Sequence, residues 1–373
     1  MMKVPFGDLL REYNGLSNEI DGSIERVLKS GWFILGKEVE NFEKNFAKFI
    51  GTKYSVSCAN GTDAITLSLR ALNIKDGDEV ITQTNTCIPT VCGIVNANAT
   101  PVFCDVNDDN LMININDIIK KITDRTKAII PVNLFGASAD YDKIMEISER
   151  YSIPVIEDCA QSHGSKFGDQ KTGTFGKTGC FSFYPSKNLG CYGDGGAVTT
   201  NHDEIYHKLL MLRNYGQEKR YFHSELGINS RLDEMQAAIL NTKLTHLDGW
   251  NKIRQNIASR YDKAFEKDEN VTVVRPGDKV KSVYHLYIVK VRSRERLQEY
   301  LTAHGISTLI HYPVPSHLQK AYDYLGYKEG DFEISEKNSK LILSLPVFPQ
   351  MEETEVDHVI KNIRDFYEGA GGS

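Results

Sequence analysis

No two cysteines of this 373-residue chain stand in a C-x-x-C pair, and no run of Lys and Arg is long enough to follow a phosphate backbone. The first absence removes the usual zinc and dithiol patterns. The odd set of seven, Cys58, Cys87, Cys92, Cys104, Cys159, Cys180 and Cys191, fits free thiols in a reducing compartment. The second, with a net charge of −6 from 44 basic and 50 acidic residues, argues against nucleic acid as the main partner. No apolar segment is long enough to span a bilayer, and "MMKVPFGDLLREYNG" has neither the flank nor the apolar stretch of a signal peptide. A cytoplasmic location with no membrane partner is expected. There is no G-x-x-x-x-G-K-[ST] phosphate loop, no H-E-x-x-H and no G-x-S-x-G, and "GDGGA" (193–197) lacks the dinucleotide spacing.

What is present is alternation. Short apolar runs ending in small or polar residues alternate with helical patterns between about 50 and 200, which is the signature of a parallel sheet covered on both faces. Seven strands are expected, from "KYSVSCA" (53–59) through "DEVITQ", "TPVFCDV", "KAIIPVN", "IPVIED" and "GCFSFY" to "GGAVTTN" (195–201). The last two are joined by too little chain for a crossover helix. Beyond 200 come long helices over 231–265, with Gly249 as the expected bend, then a strand at 282–291 and helices at 293–305 and 353–368. The expected architecture is α/β, with an N-terminal arm and large domain over 1–245 and a small C-terminal α+β domain over 246–373. The "GAGGS" tail reads as disordered or vector-derived.

Ligands of open α/β sheets collect beyond the carboxyl ends of the strands, and three such ends carry unusual chemistry. In "SCANGTDAI" (57–65), Gly61 permits close backbone approach and Thr62 offers a hydroxyl beside open helix N-terminal N–H groups. That is a phosphate cradle or an ordinary N-cap. In "PVIEDCAQSHG" (154–164), Asp158 either stabilises a cation or pairs structurally, with Gln161 and His163 in reach of the same ligand. In "FSFYPSKNLG" (181–190), Lys187 is a solvated surface lysine or a Schiff-base nucleophile. Together, in this order, the three meet the needs of pyridoxal 5′-phosphate: an anion site, a carboxylate for the ring nitrogen and an amine for the aldehyde.

The chain resembles the DegT/StrS-type sugar-nucleotide aminotransferases, of the aspartate-aminotransferase fold (fold type I). The resemblance is carried by "NGTDAI" (60–65), "IEDCAQSHGS" (156–165), "CFSFYPSKNLG" (180–190), "GDGGAVTTN" (193–201), "NSRLDEMQAAIL" (229–240) and "IHYPVPSHLQKAY" (310–322), among other islands in family order. It implies a large domain built on a mostly parallel seven-stranded sheet. It also implies that Lys187 holds the cofactor and shuttles the proton, that Asp158 pairs with the pyridine nitrogen and that Gln161 bonds the phenolic oxygen. Gly61, Thr62 and Ser182 would hold the phosphate, with Asn229 arriving from the second subunit of a homodimer with shared sites. Substrate would pass His163, Tyr184, Lys219 and Tyr221 of the partner chain, and the loop with His311, Tyr312 and His317. The two loop histidines are equally open to a packing role.

Many family members place an aromatic ring on the cofactor face where Cys87 stands in "TQTNTCIPT" (82–90). Relatives that dehydrate rather than aminate carry histidine in place of the lysine, so Lys187 implies transamination. The expected reaction moves an amino group from L-glutamate, by way of pyridoxamine 5′-phosphate, to a nucleotide-linked keto-deoxysugar. A dTDP-linked 3-keto-6-deoxyhexose is the first expectation and a 4-keto sugar its competitor. The product would serve a surface polysaccharide such as an O-antigen, or a glycosylated metabolite. A non-catalytic regulatory protein that kept the cofactor site is the reading from another class.

Overall fold

The computed structural model describes residues 2–369, so most of the "GAGGS" tail lies outside the described residues. The seven expected strands all form: β1 (Tyr54–Cys58), β2 (Glu79–Gln83), β3 (Thr100–Cys104), β4 (Thr126–Ile130), β5 (Ile156–Asp158), β6 (Thr178–Ser182) and β7 (Gly196–Thr200). Their order is β3-β2-β4 and β5-β6-β7-β1, and parallel bridges Ile129↔Val155 and Val132↔Asp158 join β4 to β5. One seven-stranded sheet results. Only β7 runs against its neighbours, pairing antiparallel with β6 and β1. The short 183–195 connection explains this, because a parallel return would need a crossover helix.

The helices preceding and alternating with these strands are α1 (Leu9–Ser30), α2 (Lys37–Ile50), α3 (Gly61–Ala71), α4 (Ile88–Asn96), α5 (Ile115–Lys121) and α6 (Tyr141–Tyr151). The helix α3 is buried on almost every face, through Ala64, Ile65, Leu67, Leu69 and Ala71. Its close neighbour α4 requires Gly93, where a Cβ would stand 2.7 Å from Ile65. Such contact locks the starts of α3 and α4 at the carboxyl edge of the sheet.

Beyond α7 (Asp203–Leu212), the long helices expected over 231–265 form as α8 (Glu234–Leu244) and α9 (Leu247–Phe265). The break falls at Thr245–His246, and Gly249 lies inside α9. A Cβ at Gly249 would meet nothing within 4 Å, so this glycine marks an open helix surface, not a bend. The C-terminal unit packs an antiparallel sheet of β8 (Val271–Val273), β9 (Tyr287–Val291) and β10 (Ile342–Leu345) against α9, α10 (Arg294–Ala303) and α11 (Glu353–Glu368). The strand expected over 282–291 therefore begins only at Tyr287. Val4 of the N-terminal arm, grouped above with the large domain, is fully buried in this C-terminal core and bridges Ile306.

One long-range cap shows how the large unit is held together. The helix α2 starts at Gly36, which has no capping side chain, and the carboxylate of Glu234 substitutes. It accepts from the N–H groups of Gly36 (2.7 Å), Glu38 (2.8 Å) and Val39 (3.0 Å). A buried carboxylate at a helix N-terminus satisfies orphan donors and meets the positive end of the dipole. Glu234→Ala is expected to cost about 3 kcal/mol, the scale of leaving buried donors unpaired, seen as a lower denaturation midpoint. An unchanged midpoint would show that water replaces the carboxylate without loss.

Candidate active site

The site forms where β1, β2, β4, β5 and β6 end. At β5 the period-2 alternation of a strand sends Glu157 and Asp158 to opposite faces. Glu157 turns away and accepts the N–H groups of Gly173 (2.6 Å), Phe175 (2.6 Å) and Gly176 (2.8 Å). Its burial still lifts its pKa to about 7. Asp158 turns toward the cavity. Its Oδ1 accepts from the Ala160 N–H (3.0 Å) and its Oδ2 from the Thr90 hydroxyl (2.7 Å), which in turn meets Thr86 (2.7 Å). Burial pushes the Asp158 pKa up, while these donors and the charge of Lys187 pull it back.

Lys187 follows β6 in a tight turn, its N–H donating to the Tyr184 carbonyl at 2.8 Å. Gly190 allows this turn to close, since a Cβ there would lie 2.4 Å from the Pro185 carbonyl oxygen. Asn188 anchors the next residue through Asn251 (2.9 Å), the Val283 carbonyl (3.0 Å) and His285 (3.1 Å). No hydrogen bond to the Lys187 amine occurs among the described residues. Burial lowers its pKa, against the pull of Cys87 and Asp158. A lysine with depressed basicity near a carboxylate is suited to nucleophilic and proton-transfer work.

At the start of α3, Asn60 caps the helix by accepting from Asp63 (2.8 Å), which leaves the Gly61 and Thr62 N–H groups open among the described residues. Gly61 faces Ser182 so closely that a Cβ would approach the Ser182 Cβ to 2.7 Å. Two of the residues expected at a phosphate thus share one corner of the site. Gln161 has its amide oriented by the Phe135 N–H, which donates to Oε1 (2.7 Å), so Nε2 points at the Tyr312 hydroxyl (3.0 Å). Tyr312 also meets the Cys87 thiol, whose pKa burial raises. The aromatic that comes to Cys87 is therefore one from the C-terminal unit.

His163 is fully buried against Phe181 and Phe183, with ring centroids at 5.5 and 5.7 Å. Burial and the Lys187 charge push its pKa to about 3, so the ring is neutral. His311 shares the cavity of Lys187, bonds Ser344 (2.8 Å) and is held near 4, chiefly by burial. His317 stands elsewhere. It is buried on Phe332 and bonded to Glu336 (3.0 Å), which also accepts the Gly330 and Phe332 N–H groups. Tyr184 is exposed at the rim, while Asn229, Lys219 and Tyr221 lie exposed on and beside the ribbon of Gln217–Lys219 and Phe222–His223.

Thr90, Asn188, Arg254 and His285 were not singled out from the sequence, although all four bear on the site. Thr90 lies in the same "TCIPT" run as Cys87, at one helical turn from Thr86, and that spacing is the signal that could have found it.

A strand-end carboxylate, an unpaired lysine on the next strand's exit and an open helix start define a phosphate-bearing aldehyde cofactor enzyme by their chemistry. The chain belongs to the DegT/DnrJ/EryC1/StrS aminotransferase family, whose model matches residues 15–364. It is 44% identical, over 97% of this chain and 99% of the relative, to the dTDP-3-amino-3,6-dideoxy-alpha-D-galactopyranose transaminase of Aneurinibacillus thermoaerophilus. It is 41% identical, over 98% and 99%, to a protein of Geobacillus stearothermophilus described as a pleiotropic regulatory protein. Among solved structures, Streptomyces venezuelae DesV in complex with a ketimine intermediate aligns with TM-score 0.97 at 40% identity, covering 99% of this chain and 100% of that one. NtdA of Bacillus subtilis with bound cofactor PMP aligns at TM-score 0.92 and 29% identity, covering 99% and 86%. The chain is an aminotransferase of the α/β fold these neighbours share.

Proposed function

We propose that this aminotransferase uses pyridoxal 5′-phosphate to carry an amino group from L-glutamate to C-3 of a nucleotide-linked keto-deoxysugar. The observation that carries the reading is the pairing of the buried Asp158, free to accept one more hydrogen bond, with an amine on Lys187 that has no partner of its own among the described residues. The cofactor supplies an electron sink and a carrier for nitrogen. The residues fit it: Gly61, Thr62 and Ser182 would hold the phosphate, Asp158 the ring nitrogen and Gln161 the phenolic oxygen. Lys187 would move the proton at its Nζ, which burial makes less basic than that of an exposed lysine. Cys87 and Tyr312 would close the face of the ring, and His163, neutral beneath Lys187, would border the reacting carbon.

The homodimer is proposed from an apolar surface. Trp32, Phe33, Tyr215, Tyr221, Phe222 and Leu226 are 47–91% exposed, and large exposed side chains of this kind are enriched at interaction surfaces. Lys219, Tyr221 and Asn229 lie on or near that surface and would serve the partner's site together with Tyr184. The reading places the protein in the cytoplasm, where nucleotide sugars are made. Among the described residues no helix is long and apolar enough to cross a membrane.

The test is a panel of 3-keto and 4-keto sugar nucleotides, dTDP- and UDP-linked, each incubated with enzyme and glutamate. A 3-amino product, identified by NMR, is expected from the 3-keto members alone. Equal turnover of 4-keto sugars would remove the C-3 assignment, and no product from any sugar would favour the regulatory reading.

A further inference from the structure

The cavity that opens onto Lys187, of about 280 Å³, is also lined by Arg254 of α9, by Glu12 of α1 and by His285 and His311. Arg254 is only 7% exposed. Its Nη1 donates to the carbonyls of Val347 (2.5 Å) and Tyr284 (3.3 Å), while its Nε has no partner among the described residues.

A buried guanidinium needs a counter-charge, and this one lacks a full share. Among the described residues, the carboxylate that acts on it is Glu12. That carboxylate is already paired with the buried ammonium of Lys243 at 2.5 Å. Asp8, also on the cavity wall, is committed to Arg11 at 3.1 Å. The facing histidines, His285 and His311, are held neutral and so add no further positive charge. Among the described residues, Arg254 on the wall of this cavity therefore shares the Glu12 carboxylate with the buried Lys243.

We propose that Arg254 receives a carboxylate of the anionic amino donor, within the same cavity that presents Lys187. The inference rests on the transaminase reading above and adds a residue that binds the donor. A guanidinium fork suits a carboxylate in geometry as well as charge. An amino acid placed there would bring its nitrogen toward Lys187 while its carboxylate relieves the uncompensated charge. His285, which feels both Lys187 and Arg254, lines the path between them.

The experiment measures glutarate, an unreactive dicarboxylate, binding to the cofactor-loaded enzyme by calorimetry, and each half-reaction separately by rapid mixing. Arg254→Met is expected to weaken glutarate binding by about tenfold or more, the loss of a charge-assisted bidentate contact. It should slow the glutamate half-reaction at low donor concentration in proportion. The sugar half-reaction of enzyme preloaded with pyridoxamine phosphate should stay within about twofold of the parent. Glutarate affinity unchanged in Arg254→Met, or an equal fall in the sugar half-reaction, would overturn the proposal. A variant that does not fold leaves the parent to decide, because a crystal structure with glutarate must place a carboxylate on Arg254 and not elsewhere. A parent that consumes no amino donor at all refutes the transaminase reading instead, which is a separate result.

Discussion

Lys187→Ala is expected to lower the transamination rate by about 10⁴-fold or more, because one side chain serves as both attachment point and proton carrier. The fold should survive this change. The backbone of Lys187 is fixed by the Tyr184 turn and its neighbour Asn188 by three hydrogen bonds, while the ammonium itself holds nothing together. The loss should therefore appear in single-turnover kinetics with glutamate, without a shift in the unfolding midpoint. Sugar turnover by purified Lys187→Ala at the parent rate would refute the assigned role.

Asp158→Asn is expected to lower the rate of both half-reactions by about 10³-fold, the scale of losing a preorganised charge where charge develops. The amide keeps the shape of the carboxylate and can still accept from Thr90 or Ala160, so the change isolates charge from packing. Cofactor affinity should fall as well. Thr90→Val is the milder companion: it removes one of two donors to Asp158 and should raise the carboxyl pKa further. Cofactor dissociation constants measured by fluorescence titration check the series, and Asp158→Asn with parent rates would show that the ring nitrogen has another partner.

The strands were readable because each is a short apolar run punctuated at both ends, and the three chemical positions lie where such runs stop. Lys187, Asp158 and Gly61 are separated by long stretches of sequence but sit at the exits of β6, β5 and β1, so one topological rule gathers them. Helical glycine was less readable. Gly249 suggested a bend, but a glycine on an open helix surface gives the same pattern, and the actual break at Thr245–His246 carries no strong stop signal.

Glu157 and Asp158 looked alike in sequence, and only strand parity separates the carboxylate that ties a loop from the one that faces the cavity. Arg254 and His285 were hidden for a different reason. They come from the C-terminal half of the chain, and nothing local in "NKIRQNIASRY" or "SVYHLY" distinguishes a pocket arginine or histidine from a packed one. His317 illustrates the opposite case. Its motif points to substrate, and its partners within the chain are Glu336 and Phe332.

Everything proposed for the site depends on Lys187 being the residue that takes up the cofactor aldehyde. Borohydride reduction of the pyridoxal 5′-phosphate-loaded enzyme, followed by peptide mapping, tests it directly. One stable pyridoxyl label per chain is expected, on the peptide containing Lys187, and it should disappear when glutamate is added before the reductant. A label on any other lysine, or no label despite a bound cofactor, would contradict it.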